Sequence, residues 1–331
     1  MREAILSLDV GTTVIKAVLF DTSGAELDIF EQACQLHRPQ PGRAELDPEE
    51  IWEAVTGVLR TMAHRSASKA RILAIALATQ GGTLIPSKAD GTPTYRAITW
   101  MDRRSTELVA QWQDQGLGDR VRKISGWSPE AGLPLLSIGW LRSAEPDIFA
   151  GTERFLSVDD FLSQRLTGQP CTNPSMAGEM LLTDISTGEW SEELCNLVGI
   201  RAEQLSPILP SGTLLGQLRP EVSRPTGLDA QTMVFNGGQD HSCEALALGI
   251  ASAGEGMLAC GTAWVINAIT ETAAVDSIPA CMNLNYHVVP GRWVASQFLG
   301  GLGACLEWWL GQCWRHAPHQ PPPSREALWA S

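Results

Sequence analysis

Apolar and polar positions alternate from the start of the chain. Ala4-Ile5-Leu6-Ser7-Leu8-Asp9 reads as a strand, Gly11-Thr12-Thr13 as a tight turn, and Ile15 to Asp21 as a returning strand. Glu26 to Leu36 has the composition to add a third strand. A helix should follow: Asp47 suits an N-cap, Pro48 the first helical position, and Glu50 the third position of a capping box. Behind that start, Ile51, Val55, Val58, Leu59 and Met62 fall on one helical face. Ile72 to Ala78 is an apolar run of strand length, as in sheets covered on both faces. Strands alternating with helices predict an α/β domain.

From about Ser105 to Arg201 the periodicity is mostly helical, ending in a turn-rich piece, Leu205 to Leu218, with Pro207, Pro210 and Gly212. The opening design then returns. Thr232 to Phe235 predicts a strand that delivers Gly237-Gly238-Gln239-Asp240, followed by a small-residue helix from Ala245 to Ala251. Met257 to Cys260 leads through Gly261-Thr262-Ala263 into another strand, Trp264 to Ile269. A strand–Gly-Thr–strand hairpin near the start of each half divides the chain into two expected domains, 1–235 and 236–331. A chain of 331 residues is long enough for each to bury a core.

Composition narrows the function. Hydrophobic residues make up 44% and charged residues 18%, a globular balance. The net charge of -13, from 24 basic and 37 acidic residues, excludes broad nucleic-acid binding through a basic surface. It leaves room for a nucleotide, whose phosphates can be held by backbone N–H groups and a metal. No apolar run approaches the ~20 residues of a membrane span, and the first residues lack a signal peptide, so a cytoplasmic protein is expected. The eight cysteines form no C-x-x-C pair, which argues against a zinc site and makes most of them expected small buried residues.

Four motifs carry candidate chemistry. At Asp9-Val10-Gly11-Thr12-Thr13, successive backbone N–H groups and two hydroxyls can cradle a phosphate, while Asp9 can hold Mg²⁺. The same residues also suit an ordinary hairpin. Gly261-Thr262-Ala263 gains meaning from its matching context, since two such loops across a cleft would grip a polyphosphate. Asp240, after two glycines and at a helix start, can accept a substrate hydroxyl's proton or merely cap the helix. Trp100, Asp102 and Arg103 offer a flat indole face, a carboxylate and a guanidinium for a polyol, with Gln80-Gly81-Gly82 at the end of the preceding strand beside them. Asp102 could equally be an N-cap. His241 is given no role.

In this order, Asp9-x-Gly11-Thr12-Thr13, Trp100-x-Asp102-x-Arg104, Gly-Gly-x-Asp240, Gly261-Thr262 and Gly300-Gly301-x-Gly303-Ala304 resemble the FGGY carbohydrate kinases. Leu166-Thr167-Gly168 and Thr183-Asp184 through Trp190 are similar to the xylulokinase branch. The resemblance spans essentially the whole chain. It implies an actin-like (ribonuclease H-like) two-domain α/β sugar kinase using ATP and Mg²⁺ on a small sugar or polyol, with sugar on the first domain and ATP mainly on the second. Position by position, Asp240 matches the catalytic base and Asp9 the residue near Mg²⁺. Gly11, Thr12, Thr13, Lys16, Gly261 and Thr262 match the phosphate side, and Gly303 and Glu307 positions near the nucleotide. Gln80, Gly81, Gly82, Trp100, Asp102 and Arg103 belong to the sugar side.

Two departures stand out. Xylulokinases tend to carry Met and His where this chain has Gly81 and Gly82, which leaves space and argues against a D-xylulose pocket. The family also continues with an adenosine-binding loop that has no counterpart here. The second domain is therefore expected to be incomplete, with Trp308, Trp309 and Trp314 on an uncovered apolar surface. That expectation brings alternatives: a non-catalytic sugar-binding remnant, half of a split kinase completed by a missing C-terminal segment, or a homodimer. An actin-like structural protein shares the hairpins but not the Trp100 and Asp240 constellation.

Overall fold

The computed structural model describes residues 2–260 and 264–315. Strands β1 (Arg2–Val10) and β2 (Val14–Asp21) form the first antiparallel hairpin, with Asp9 opposite Lys16. β3 (Glu26–Ala33) extends it. A two-residue strand, β4 (Glu45–Leu46), precedes α1 (Pro48–Ser66). The Asp47 side chain accepts from the Glu49 amide, as expected of an N-cap. Glu50 does not close a capping box; its carboxylate lies 2.7 Å from His37 Nε2. β5 (Ala70–Thr79) then runs parallel to β1.

The middle of the chain is helical, as its periodicity predicts. Short strands β6 (Ile85–Ser87), β7 (Ala97–Ile98) and β8 (Arg154–Leu156) pair locally around α2 (Thr106–Asp114), α3 (Leu117–Ser125), α4 (Pro134–Ala144) and α5 (Pro146–Gly151). After them come α6 (Val158–Thr167), α7 (Pro174–Glu179) and α8 (Glu192–Val198). β9 (Leu214–Gln217), α9 (Pro220–Thr226) and β10 (Met233–Gln239) complete a six-stranded sheet of order β3-β2-β1-β5-β10-β9. The expected boundary at 235/236 falls inside β10, which stays in this sheet to Gln239. The next helix, α10 (Asp240–Ala247), begins five residues earlier than the small-residue run suggested, because the Gln239 side chain caps it by accepting from the Ser242 amide.

A second, antiparallel sheet of order β11-β12-β14-β13 follows, with β11 (Gly256–Cys260), β12 (Trp264–Thr270), β13 (Asn283–Tyr286) and β14 (Trp293–Phe298), then α11 (Leu302–Arg315). Edge strand β13 fastens this sheet to the rest. The Leu284 amide donates to the Gly126 carbonyl at 2.8 Å, Arg122 to the Met282 carbonyl at 2.7 Å, and the Ser128 amide to Asn283 Oδ1 at 3.1 Å. Gly126 has φ +83°, and a Cβ there would strike the Leu284 carbonyl, so glycine is required at this crossing. Of the cysteines, Cys171 and Cys195 are buried, whereas Cys260, Cys281 and Cys305 are exposed, fewer buried thiols than composition led us to expect.

Candidate active site

β1, β5 and β10 are mutually parallel, so their C-terminal ends meet at one edge of the first sheet. Ligands in open α/β sheets bind at such edges. Here the ends deliver Gly11-Thr12, Gln80-Gly81 and Gln239-Asp240. Of these, Thr12, Gln80, Gly81, Gln239 and Asp240 form one wall of a cavity of about 210 Å³, smaller than the ~300 Å³ at which drug-sized sites begin. The second sheet supplies the other wall through Val265, Asn267, Asn283, Asn285, Val294, Ser296 and Phe298. Trp100, Arg103, Trp127, Glu130 and Glu179 close the sides.

The floor is a hydrogen-bonded chain. Trp100 Nε1 donates to Thr12 Oγ1 at 3.1 Å, Thr12 donates to Gln80 Oε1 at 2.6 Å, and Thr83 donates to the same oxygen at 3.1 Å. Gln80 Nε2 is left without a partner among the described residues. Thr12 thus sits with the sugar-side group rather than apart from it. The Trp100 ring also meets Phe298 edge-on, with centroids 6.1 Å apart.

Asp240 is the first residue of α10, and because Gln239 does the capping, its carboxylate is not used up at the helix start. Oδ1 accepts from Gln239 Nε2 at 2.6 Å and from the His241 amide at 2.8 Å, while Oδ2 has no hydrogen-bond partner among the described residues. Burial raises Asp240 above the ordinary carboxylate range, opposed by the charge of His241. His241 itself, which burial alone would lower, is raised to about 9 by its contact with Glu244 and the charges of Asp240 and Glu179. It is therefore a cation beside Asp240 at neutral pH. Asp9 is half-buried, and burial together with the charge of Asp240 pushes it up to about 6. Lys16 faces Asp9 across the hairpin and holds Glu31 at 3.0 Å.

Two sugar-side expectations need correction. Asp102 is fully buried and its acceptors are consumed: it takes the Ala44 amide at 2.7 Å, the Arg104 amide at 2.8 Å and two contacts from the Arg104 guanidinium at 2.8 Å. Arg104 also reaches Glu45 at 2.6 Å. This buried triad anchors the loop that presents Trp100 and has no free lone pair for a ligand. Gly82 does not line the cavity; at φ +67° a Cβ there would press on Trp100 Cβ at 3.0 Å and Leu133 Cδ2 at 3.1 Å, behind the wall. Of the remaining expectations, Gly11 closes the hairpin turn, with its amide 3.0 Å from the Val14 carbonyl, and Thr13 is exposed next to it. Gly303 is buried in α11, away from the cavity lining. Gly261, Thr262 and the Glu307 side chain lie outside the described residues.

Sequence reasoning missed Trp127, Glu130, Glu179 and the asparagines of the second sheet. None stands in a Gly-rich motif, and only the packing of distant segments brings them to the cavity. His241 could have been found from its place next to Asp240.

The fold superposes on a solved xylulose kinase from Rhodospirillum rubrum with a TM-score of 0.88 and 25% identity, over 99% of this chain and 65% of that one. This is the actin-like α/β architecture of the sugar kinases. A family model described as "FGGY family of carbohydrate kinases, N-terminal domain" matches residues 4–247, and the chain belongs to that family. Among curated relatives, a xylulose kinase from Klebsiella pneumoniae is 27% identical over 307 residues, covering 92% of this chain and 62% of the relative. A xylulose kinase from Bacillus subtilis (strain 168) is 30% identical over 273 residues, covering 82% of this chain and 54% of the relative. The chain thus spans less than two thirds of the length of these relatives.

Proposed function

We propose that this chain carries the acceptor-activating part of a cytoplasmic, ATP-dependent kinase that phosphorylates a hydroxyl of a ketose or polyol. The observation that carries the reading is Asp240, a carboxylate with one unpaired oxygen at the meeting point of three parallel strand ends, lining a small cavity of indole and amide groups. Asp240 Oδ2 takes the proton of the substrate hydroxyl as that oxygen attacks the terminal phosphorus of ATP and ADP departs. Cationic His241 favours the ionised form of the base before the transfer. Trp100 and Trp127 pack on the C–H faces of the substrate, and Gln80 and the asparagines of the second sheet bind its hydroxyls. In this reading the first sheet supplies the base and, through Asp9 and the Gly11 turn, the phosphate side, while the second sheet closes the sugar cavity.

Asp9 suits a divalent cation. Its half-buried carboxylate has no hydrogen-bond partner among the described residues and stands beside a second acid, and Mg²⁺ is usually held through one or two carboxylates, its own waters and phosphate oxygens. Bound there, the ion would neutralise charge on the transferring phosphoryl group. Asp9 would hold it, with Thr13 and the Gly11 turn next to it.

The test is phosphorus NMR of the chain with MgATP and a panel of ketoses and polyols. A sugar-dependent phosphomonoester signal is the expected result. Sugar binding by calorimetry with no turnover would favour the non-catalytic sugar-binding alternative.

A further inference from the structure

Resting on the kinase reading above, we propose that Glu179 is the specificity-determining residue of this site: it occupies the space left by Gly81, hydrogen-bonds the hydroxyls of a neutral ketose or polyol, and disfavours sugar acids. A methyl group on Gly81 would overlap the Glu179 carboxylate, so the glycine and the acid form a complementary pair. A small residue on the strand end makes room, and a long acidic one from another segment fills it.

The placement of Glu179 is built in. It ends α7, whose start is fixed by Asn173, which accepts from the Met176 amide at 3.1 Å and donates to the buried Asp159 at 2.8 Å. Asn285 of the second sheet donates to the Ser175 carbonyl at 2.9 Å, and the Gln239 amide donates to Ser175 Oγ at 3.0 Å. The helix that carries Glu179 is therefore tied directly to the residue preceding Asp240. Despite this frame, the Glu179 carboxyl has no hydrogen-bond or ion-pair partner among the described residues while lining the cavity. The carboxyl is half-buried, and a ligand hydroxyl would supply the partner it lacks. Burial and the charge of Asp240 push it up to about 8, so near neutrality it mostly keeps its proton and can donate as well as accept. Arg103 donates to the Ala131 carbonyl at 2.8 Å and His241 lies 3.4 Å from Glu244, so both cations of the lining are already engaged. An added carboxylate would stand beside Asp240 with no free cation to pair with among the described lining residues.

Calorimetric titration of the chain, Glu179→Ala, Gly81→Ala and the double variant with D-xylulose, D-glucitol, glycerol and D-gluconate tests this, with thermal melts as a check on folding. The expected result is that a neutral member binds at least ~10-fold better than gluconate, and that Glu179→Ala weakens it ~10- to 100-fold. Gly81→Ala, which must push the carboxylate aside, should cause a loss of similar size, and the two losses should not add in the double variant. Unchanged affinity in Glu179→Ala, tighter binding of gluconate, or fully additive losses would each overturn the proposal while leaving the kinase reading in place. If Glu179→Ala does not fold, unchanged affinity in Gly81→Ala overturns it alone. A wild-type chain that binds none of the four overturns both readings.

Discussion

The two sheets differ in how they are held. Around the six-stranded sheet, Leu6, Leu8, Ile75 and Val234 join Val55, Val58, Leu59 and Met62 of α1 and Phe161, Leu162 and Leu166 of α6 in one continuous core. In the four-stranded region the buried cluster consists of Val275 and Leu284 with Ile185 from across the seam. Leu258, Ile266 and Phe298 of that sheet and Trp308 and Trp309 of α11 remain exposed, the two indoles at 66% and 56%. A large shared core fixes side chains to fractions of an ångström, whereas a small one leaves their placement to a few edge contacts. The candidate base lies on the well-packed side, and the amide-rich wall opposite it lies on the other.

The contrast can be broken most sharply at the base. Asp240→Asn should lower phosphoryl transfer by ~10²–10⁴-fold while sugar affinity stays within a few-fold, as read by turnover and calorimetry on the same preparation. Near-normal turnover would remove Asp240 from that role. Because burial raises its pKa, activity should also fall on acidification well before the ordinary carboxylate pKa of ~3.9 is reached.

Next in size are the core deletions. Phe161→Ala, in the continuous core, should cost ~3–5 kcal/mol in denaturant unfolding followed by circular dichroism. Leu284→Ala should sit near the low end of its class, ~2 kcal/mol, and loosen the second sheet without shifting the main transition. Equal effects from both would mean that the two regions unfold as one unit and that the contrast is only apparent.

A pH-dependent effect separates the cavity acid Glu179 from its surroundings. The Glu179 carboxyl is raised to about 8 in the folded chain against an ordinary ~4.3 when unfolded. Below the lower value both states are protonated and nothing is lost. Between the two values the folded chain holds the extra proton, so its stability falls with rising pH by up to ~1.4 kcal/mol per unit, levelling off above the folded value. Glu179→Gln should therefore melt like the wild type near pH 4 and increasingly above it toward pH 8. Smallest of all, Trp308→Ser should change unfolding free energy by less than ~0.5 kcal/mol yet reduce binding of an apolar dye, because the indole is exposed.

Much of the first region was legible because its elements have strong local signatures. The β1–β2 hairpin, the Asp47 cap and the apolar run of β5 each rest on neighbours in sequence. Asp240, Gln80 and Gly81 were legible for the same reason, since they sit at strand ends in Gly-rich runs, and Trp100 and Arg103 because an indole and a guanidinium stand together in one short motif. What sequence could not separate was the direction of a side chain within a motif. Asp102 and Trp100 are two residues apart, yet one is locked to Arg104 and the other reaches the cavity. Glu179 was illegible because it is defined by what Gly81 lacks, 98 residues earlier, a relation between segments that no local pattern carries.

The fastening of the second sheet along β13 has a mechanical consequence. Neighbouring strands lie ~4.8 Å apart, so β11, three places away in the order β11-β12-β14-β13, is ~14 Å from the strand that is pinned. The sheet is a lever with its pivot at Gly126 and Leu284. A rotation of ~5° about that pivot leaves Asn283 and Asn285 nearly still while β11 swings through ~1 Å. The same small tilt is thus slight at Asn283 and Asn285, intermediate at Val265 and Asn267 of β12, which also line the cavity, and largest at the far edge, so the pinned strand holds one side of the sugar wall while the outer hairpin travels.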